Sequence, residues 1–370
     1  MRGRPGLITS YRRDVALFRT GTQRFWLIVL LATVLWLPLW IPNDWLFPAT
    51  ISLFAAIGAI GLNLVTGYAG QVSLGHAFFL GVGAYTATAL STAEGPGTRG
   101  LLAYGLDMII WLPAAGLVAA LLGVIVAPVA LRLKGLYLAF VTLGLVFLGE
   151  HLFQSWRELT GGAGVGRRAA ELSLFGFRFD EDGEVLGIFL TDTQKIYFLG
   201  FVLLVLFALV AKNLARSRIG RAFSAIRDRD IAAEVMGIDL TRYKVIAFAI
   251  SSFYAGVAGA LLYTVAGFLE PRAFNLELSV FYVAMVLIGG VATISGSIMG
   301  AVFVTMLPRL IDLASDYLPY DPATGPLNTG QLEAILFGLL IIFFLIFEPL
   351  GLYGLWIRIR NYWKAWPFSY

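Results

Sequence analysis

Apolar residues in this chain fall in runs about as long as a bilayer core is thick, and polar residues gather between them. The runs lie at about 25–41, 50–66, 72–91, 108–131, 135–153, 195–211, 243–267, 278–292, 294–312 and 331–348. A helix needs roughly 20 apolar residues to cross the hydrocarbon. The pattern therefore predicts an all-α membrane protein with about ten transmembrane helices. A short glycine-rich link joins runs 278–292 and 294–312, which makes one of them a candidate broken or re-entrant segment. Pro42 and Trp45 follow the first run where a signal peptide would carry small residues, so it reads as a span.

The polar stretches set the orientation. Residues 1–24 carry Arg2, Arg4, Arg12, Arg13, Arg19 and Arg24 against Asp14 alone, and an excess of Lys and Arg marks the cytoplasmic side. Counting spans from there puts Arg132, Lys134 and the basic stretch 212–244 inside. The tail 349–370 also falls inside, with Arg358, Arg360 and Lys364 set among Trp356, Trp363 and Trp366. The acid-leaning loop 154–195 falls outside, together with Asp312, Asp316 and Asp321. The expected organisation is a basic cytoplasmic N-terminus (1–24), a membrane domain (25–348) with a cytoplasmic loop at 212–242 and the external loop at 154–195, and a cytoplasmic tail.

The segment Lys212 to Lys244 is a charge-rich island between two apolar runs. Its residues spell two short helices. Gly220 to Ile226 places Ala222, Ile226 and Phe223 on one side, and Asp228 or Asp230 is a candidate cap for a second helix through Met236. Gly237 suits the left-handed residue that closes it, and Asp239 suits the cap of the next helix. Two readings stand side by side: a solvated loop whose charges only set topology, and a docking element that a soluble partner grips.

Composition narrows the chemistry. The chain has 370 residues, 59% of them hydrophobic, and a formal net charge of +4 that sits between the spans and does not point to nucleic acid. It has no cysteine and only two histidines, His76 and His151, so no thiolate site or metal-ligand cluster presents itself. Ionisable residues near the spans (Glu150, His151, Glu333, Glu348) lie close to their ends. A carrier driven by a coupling ion keeps such groups mid-membrane, where each costs at least about 2.5–3.5 kcal/mol. No G-x-x-x-x-G-K-[ST] loop and no nucleophile–base pair is present, so no catalytic residue, metal or cofactor is expected. These features leave a transporter whose energy comes from another polypeptide.

Two glycine-rich stretches interrupt the spans, Gly61 to Tyr85 and Gly289 to Gly300. Small residues let helices approach closely, and breaks near Gly67 and Gly70 can turn backbone groups toward a cavity. Asn63, Gln71, Ser73 and His76 are the candidates for lining a translocation path, with tight helix packing as the alternative use of the same region.

At these residues the chain resembles a family. GLNLVTGYAGQVSLGHAFFLGVGAYTA, LKGLYLAFVTLGL, TGGAGVG and the island through AISSFYAGVAGAL closely resemble LivM-type permeases of branched-chain amino-acid ABC importers. GGVATISGSIMGA and EPLGL match more loosely, and the resemblance runs over about 50–350. It implies the ABC importer permease fold in a bacterial inner membrane. The implied partners are a LivH-like second permease, two cytoplasmic ATPases that bind the ATP, an extracytoplasmic solute-binding protein and membrane lipid. The island becomes the ATPase-contacting element, with Ala225, Ile226, Arg227, Asp228, Ala232, Ala233, Glu234 and Gly237 as contact residues.

Two positions depart from the pattern. Ala292 stands where the family often has Gly, read as crowding of a helix approach, and Glu348 stands where Arg is common, read as a changed helix anchor. Branched-chain amino acids are the expected substrate, with other amino acids, then urea or short amides, as alternatives. An ATP-independent carrier stays open as a different class.

Overall fold

The computed structural model describes residues 21–91, 102–131, 133, 135–162, 164–185, 187–315, 329–348 and 350–365. The basic residues before Gly21, together with Arg132, Lys134, Asp316 and Asp321, lie outside the described residues. Each predicted run contains a helix. In chain order these are α1 (Gly21–Trp36), α2 (Asn43–Asn63), α3 (His76–Ser91), α4 (Met108–Leu131), α5 (Leu136–Ser155) and α6 (Asp192–Arg216). The island forms α7 (Arg218–Asp228) and α8 (Asp230–Val235). There follow α9 (Leu240–Ala266), α10 (Leu276–Gly289), α11 (Ile294–Ser315), α12 (Thr329–Phe347) and α13 (Gly351–Ala365). Among the described residues, seven helical segments are long and apolar enough to cross a membrane. They are built on α2, α4, α5, α6, α9, α10 and α11, while α1 and α12 hold shorter apolar stretches.

Some of the helices start where the sequence supplies caps. Thr191 and Gln194 form a reciprocal capping box at α6, and Asn275 accepts from the Leu278 N–H at 3.1 Å at α10. The middle of the bundle belongs to α2 and α9, whose spans are 72% and 67% buried, whereas α6, at 17%, is peripheral. Small residues make that centre possible. A Cβ at Gly83 in α3 would collide with the Gly256 carbonyl of α9, so the two backbones touch.

Short strands finish one end. β1 (Arg167–Arg168), β2 (Ser173–Leu174), β3 (Phe177–Arg178), β4 (Gly183–Val185) and β5 (Ile188–Leu190) precede α6, and β6 (Phe268–Leu269) follows α9. β2 pairs with β3 and β4 with β5, while β1 pairs with β6 in antiparallel register. That last pair pins the 154–195 loop to the end where α9 stops and α10 starts. The island forms the opposite end, between the end of α6 and the start of α9.

Candidate functional site

The island is folded, and its fold follows from its sequence. Ser217 caps α7 by accepting from the Ile219 N–H at 3.1 Å. Gly220, Ala222, Phe223 and Ile226 are the buried face of α7. Gly237 adopts φ +83° after α8, and Asp239 accepts from the Arg242 N–H at 3.0 Å to cap α9. The cap expected at Asp228 or Asp230 is different. Arg229 occupies the N-cap position of α8 without a side-chain bond, and the Asp230 carboxylate takes its own neighbour's N–H, that of Ile231, at 2.9 Å. The turn between α7 and α8 is one residue long, which leaves no room for a separate aspartate cap.

The eight residues expected at a partner contact divide by exposure. Arg227, Asp228, Ala232, Glu234 and Gly237 are exposed, and Ala225 is half-buried. Ile226 and Ala233 point into the chain. Large apolar residues absent from that set are exposed beside it: Ile231 at 70%, Val235 at 82% and Met236 at 81%. Three large apolar side chains thus stand exposed among charges, Ile231 and Val235 on a helix of six residues and Met236 just after it.

Arg227 ties the island to the bundle. Its Nη1 donates to the Gly67 carbonyl at 3.3 Å, while Nε and Nη2 donate to Asp228 at 3.1 and 3.0 Å. Gly67 belongs to a π-helical turn, Leu64–Tyr68, that ends α2. Such turns are rare, and they break the regular hydrogen-bond ladder. Beyond it, residues 69–75 are unwound before α3 begins, as the glycines there suggested.

The four path candidates cluster around this break, and three are occupied by intrachain bonds. Asn63 Nδ2 donates to the Thr293 carbonyl at 2.9 Å and to Ser297 Oγ at 2.7 Å, and its Oδ1 accepts from the Ala292 N–H at 2.8 Å. It staples the end of α2 to the turn between α10 and α11. Gln71 donates to the Ala69 carbonyl at 3.2 Å, and Ser73 accepts from the Gly75 N–H at 3.3 Å. Of the four, His76 alone holds a fully buried polar atom without a partner among the described residues. It is buried against Tyr282, ring centres 4.6 Å apart, and neither its Nε2 nor the Tyr282 hydroxyl has a partner among the described residues.

Ala292 departs from the family pattern for a reason unlike the crowding expected of it. Its φ is +59°, so the cost lies in the backbone: the turn takes a left-handed residue, which glycine adopts freely and alanine does not. Glu348 anchors the end of α12 to the helix that follows. It is buried, and it accepts an ion-paired hydrogen bond from Arg358 of α13.

Sequence reasoning missed the residues that make the broken segment tolerable. Thr142 of α5 accepts from the Leu74 N–H at 2.9 Å, and Ser279 of α10 accepts from the Ala77 N–H at 3.0 Å. Unwound backbone inside a membrane protein needs such partners. The signal was present: a hydroxyl inside each apolar run. Arg167 was missed as well. It is buried at the hairpin end and donates to the carbonyls of Leu159 at 2.7 Å, Leu102 at 3.0 Å and Thr88 at 3.2 Å. Burial pulls its pKa below the ordinary guanidinium value, and an arginine stays charged even so.

Fold and site together define a multi-pass membrane protein whose polar end is built around a folded island. The chain belongs to the branched-chain amino acid transport system permease component family, whose model matches residues 46–345. It is 31% identical over 345 residues to the high-affinity branched-chain amino acid transport system permease protein LivM of Salmonella typhimurium, covering 90% of this chain and 75% of that protein. The Escherichia coli LivM matches to the same extent. The LivH permease of Salmonella typhimurium is 27% identical over 82% of this chain and 92% of its own length. An autoinducer 2 import system permease protein, LsrC of an Enterobacter species, is 30% identical over 31% of this chain and 35% of its own length. No solved structure matches the chain.

Proposed function

We propose that this chain is the transmembrane permease subunit of an ATP-binding-cassette importer for branched-chain amino acids. It sits in a bacterial inner membrane with the island on the cytoplasmic side, beside a LivH-like second permease. Two cytoplasmic ATPases bind and hydrolyse the ATP, and an extracytoplasmic binding protein delivers the substrate. The observation that carries the ATPase contact is the exposure of Ile231 and Val235 on α8 and of Met236 just after it, in a charge-rich island. An apolar cluster ringed by charge is the form of an interface centre. Arg227, Asp228, Ala232, Glu234 and Gly237 form its rim, where charge sets register and rate more than affinity. ATPase closure pushes the island, and the two permeases shift between outward-open and inward-open populations.

Capture of the ATPase subunits by the purified chain tests this reading. Replacing Ile231, Val235 and Met236 together by Ser should weaken capture by about tenfold or more, the factor that accompanies about 1.4 kcal/mol. Undiminished capture by a well-folded variant would sink the assignment.

Substrate is tested separately, by uptake of labelled leucine into proteoliposomes holding both permeases and the ATPases, with binding protein added. Competition by valine and isoleucine supports the branched-chain reading. Other amino acids are the first substrates to try if it fails, then urea and short amides, and then autoinducer 2, given the partial match to LsrC. Uptake that ignores ATP would make the chain a carrier and return the island to a solvated loop.

A further inference from the structure

Glu348 and the helix after it lie outside the ATPase contact proposed above. Ten residues of straight helix would hold positions 348 and 358 about 15 Å apart. Arg358 nevertheless reaches the Glu348 carboxylate. The chain therefore turns sharply between α12 and α13. The turn is made at Gly351, with φ +62°, where a side chain would strike the Ile288 carbonyl. Glu348 is buried and most of the Arg358 side chain is not, so the ion pair holds α13 across the end of α12.

Beyond that lock α13 is an amphipathic helix. Leu355, Trp356, Ile359, Tyr362 and Trp363 are all exposed, Trp363 by 67%. At 100° per residue they share an arc of about 120°, and Arg358 and Arg360 fall about 40° beyond its two edges. The sequence GLYGLWIRIRNYWKA contains no acidic residue. The apolar arc also continues a neighbour. In α12 the exposed residues Leu339, Ile342, Phe343, Ile346 and Phe347 repeat at helical spacing on a segment that enters the bilayer, and exposed Leu350 leads from them to the turn.

We propose that α13 lies in the plane of the membrane interface and binds anionic phospholipid. Its apolar arc sits at the boundary of headgroups and acyl chains, and Arg358 and Arg360 meet the phosphates. Three observations favour lipid over a protein partner. The face follows directly in the chain on the exposed apolar stripe of α12 and Leu350, Trp and Tyr suit the interface, and the helix carries charge of one sign, complementary to an anionic leaflet. The absence of cysteine allows single reporters on the whole chain without further change.

The experiment places spin labels at Ile359→Cys, Asn361→Cys and Trp363→Cys in the full chain, in nanodiscs of zwitterionic lipid with or without phosphatidylglycerol. Labels at 359 and 363 should favour oxygen over a water-soluble nickel chelate, and the label at 361 should show the reverse. Arg360→Gln should lower the phosphatidylglycerol retained by the purified chain about fivefold, the factor that about 1 kcal/mol per surface arginine gives. This variant leaves the Glu348–Arg358 lock intact. Equal chelate access at all three positions would overturn the proposal. So would protection of 359 and 363 only when the second permease is present, since the occupant would then be protein. Retention unchanged by Arg360→Gln would remove the headgroup contact.

Discussion

The two ends of this bundle are finished in different ways. At the hairpin end, loops fold back and pair, and Arg167 satisfies three backbone carbonyls inside the chain. At the island end, Arg227 and Asn63 make comparable links inward, and α8 with the residue after it leaves Ile231, Val235 and Met236 exposed. Both ends are rich in arginine, so charge alone does not tell them apart. Nor does exposure, since Phe175, Val165 and Phe189 stand out at the hairpin end as Ile231, Val235 and Met236 do at the island. What separates them is construction: strand pairs and a buried arginine close the hairpin end, whereas the island presents its exposed apolar residues on and just after one short helix ringed by charge. A polar group already paired within the chain marks structure, and a compact apolar cluster left exposed among charges is a candidate contact.

The largest effect should come from breaking the finished end. Arg167→Met leaves the carbonyls of Leu159, Leu102 and Thr88 without this donor, and each buried group so abandoned costs about 1–3 kcal/mol. We expect a loss on the order of 4 kcal/mol in unfolding measured in detergent, with loss of folded protein on purification. A change below about 1 kcal/mol would mean that water or the chain re-satisfies those carbonyls, and that this end is less closed than its hydrogen bonds imply. Asn63→Leu is the matching cut at the other end. It frees the Ala292 N–H and the Ser297 hydroxyl from their partner. About 2–3 kcal/mol should be lost, with faster amide exchange over residues 289–297. If exchange rises instead at the hairpin end, Asn63 does not hold the junction.

Much of this contrast is legible in the order of residues alone, and the unread part has a common cause. The apolar runs place the helices, because a bilayer imposes length on each crossing independently of its neighbours. Gly237 and Asp239 are readable for a similar reason, since a left-handed turn and a cap are local demands. The roles of Asn63, Thr142, Ser279 and Arg167 are not. Each pairs with backbone far away in sequence, Asn63 with residues about 230 positions on. A polar residue near a broken span looks the same whether it faces a path or staples a turn. Exposure on α8 is hidden as well, because Ile226 and Ile231 are equally apolar in sequence and only the helix axes decide which one faces out.

The smallest effects concern two left-handed turns of the island end, one filled by glycine and the other by alanine. Gly237 has φ +83° and open space where a Cβ would stand, so Gly237→Ala meets backbone strain alone. We expect a loss of about 1 kcal/mol, confined to fraying between α8 and α9. Ala292→Gly is the reverse experiment. At φ +59° alanine bears the same strain, while glycine restores some freedom to the unfolded chain and gives back part of the gain. The net should be a stabilisation of about 0.5–1 kcal/mol, read as a higher unfolding midpoint. If stability instead falls, the Ala292 methyl packs usefully against its surroundings, and the departure at this position is a contact and not a strain. Because Asn63 bonds the N–H of that same residue, Ala292→Gly in the Asn63→Leu background separates the two effects. Additive changes would mean the turn holds its left-handed form without the staple, and a vanished gain would mean that the staple imposes the strain.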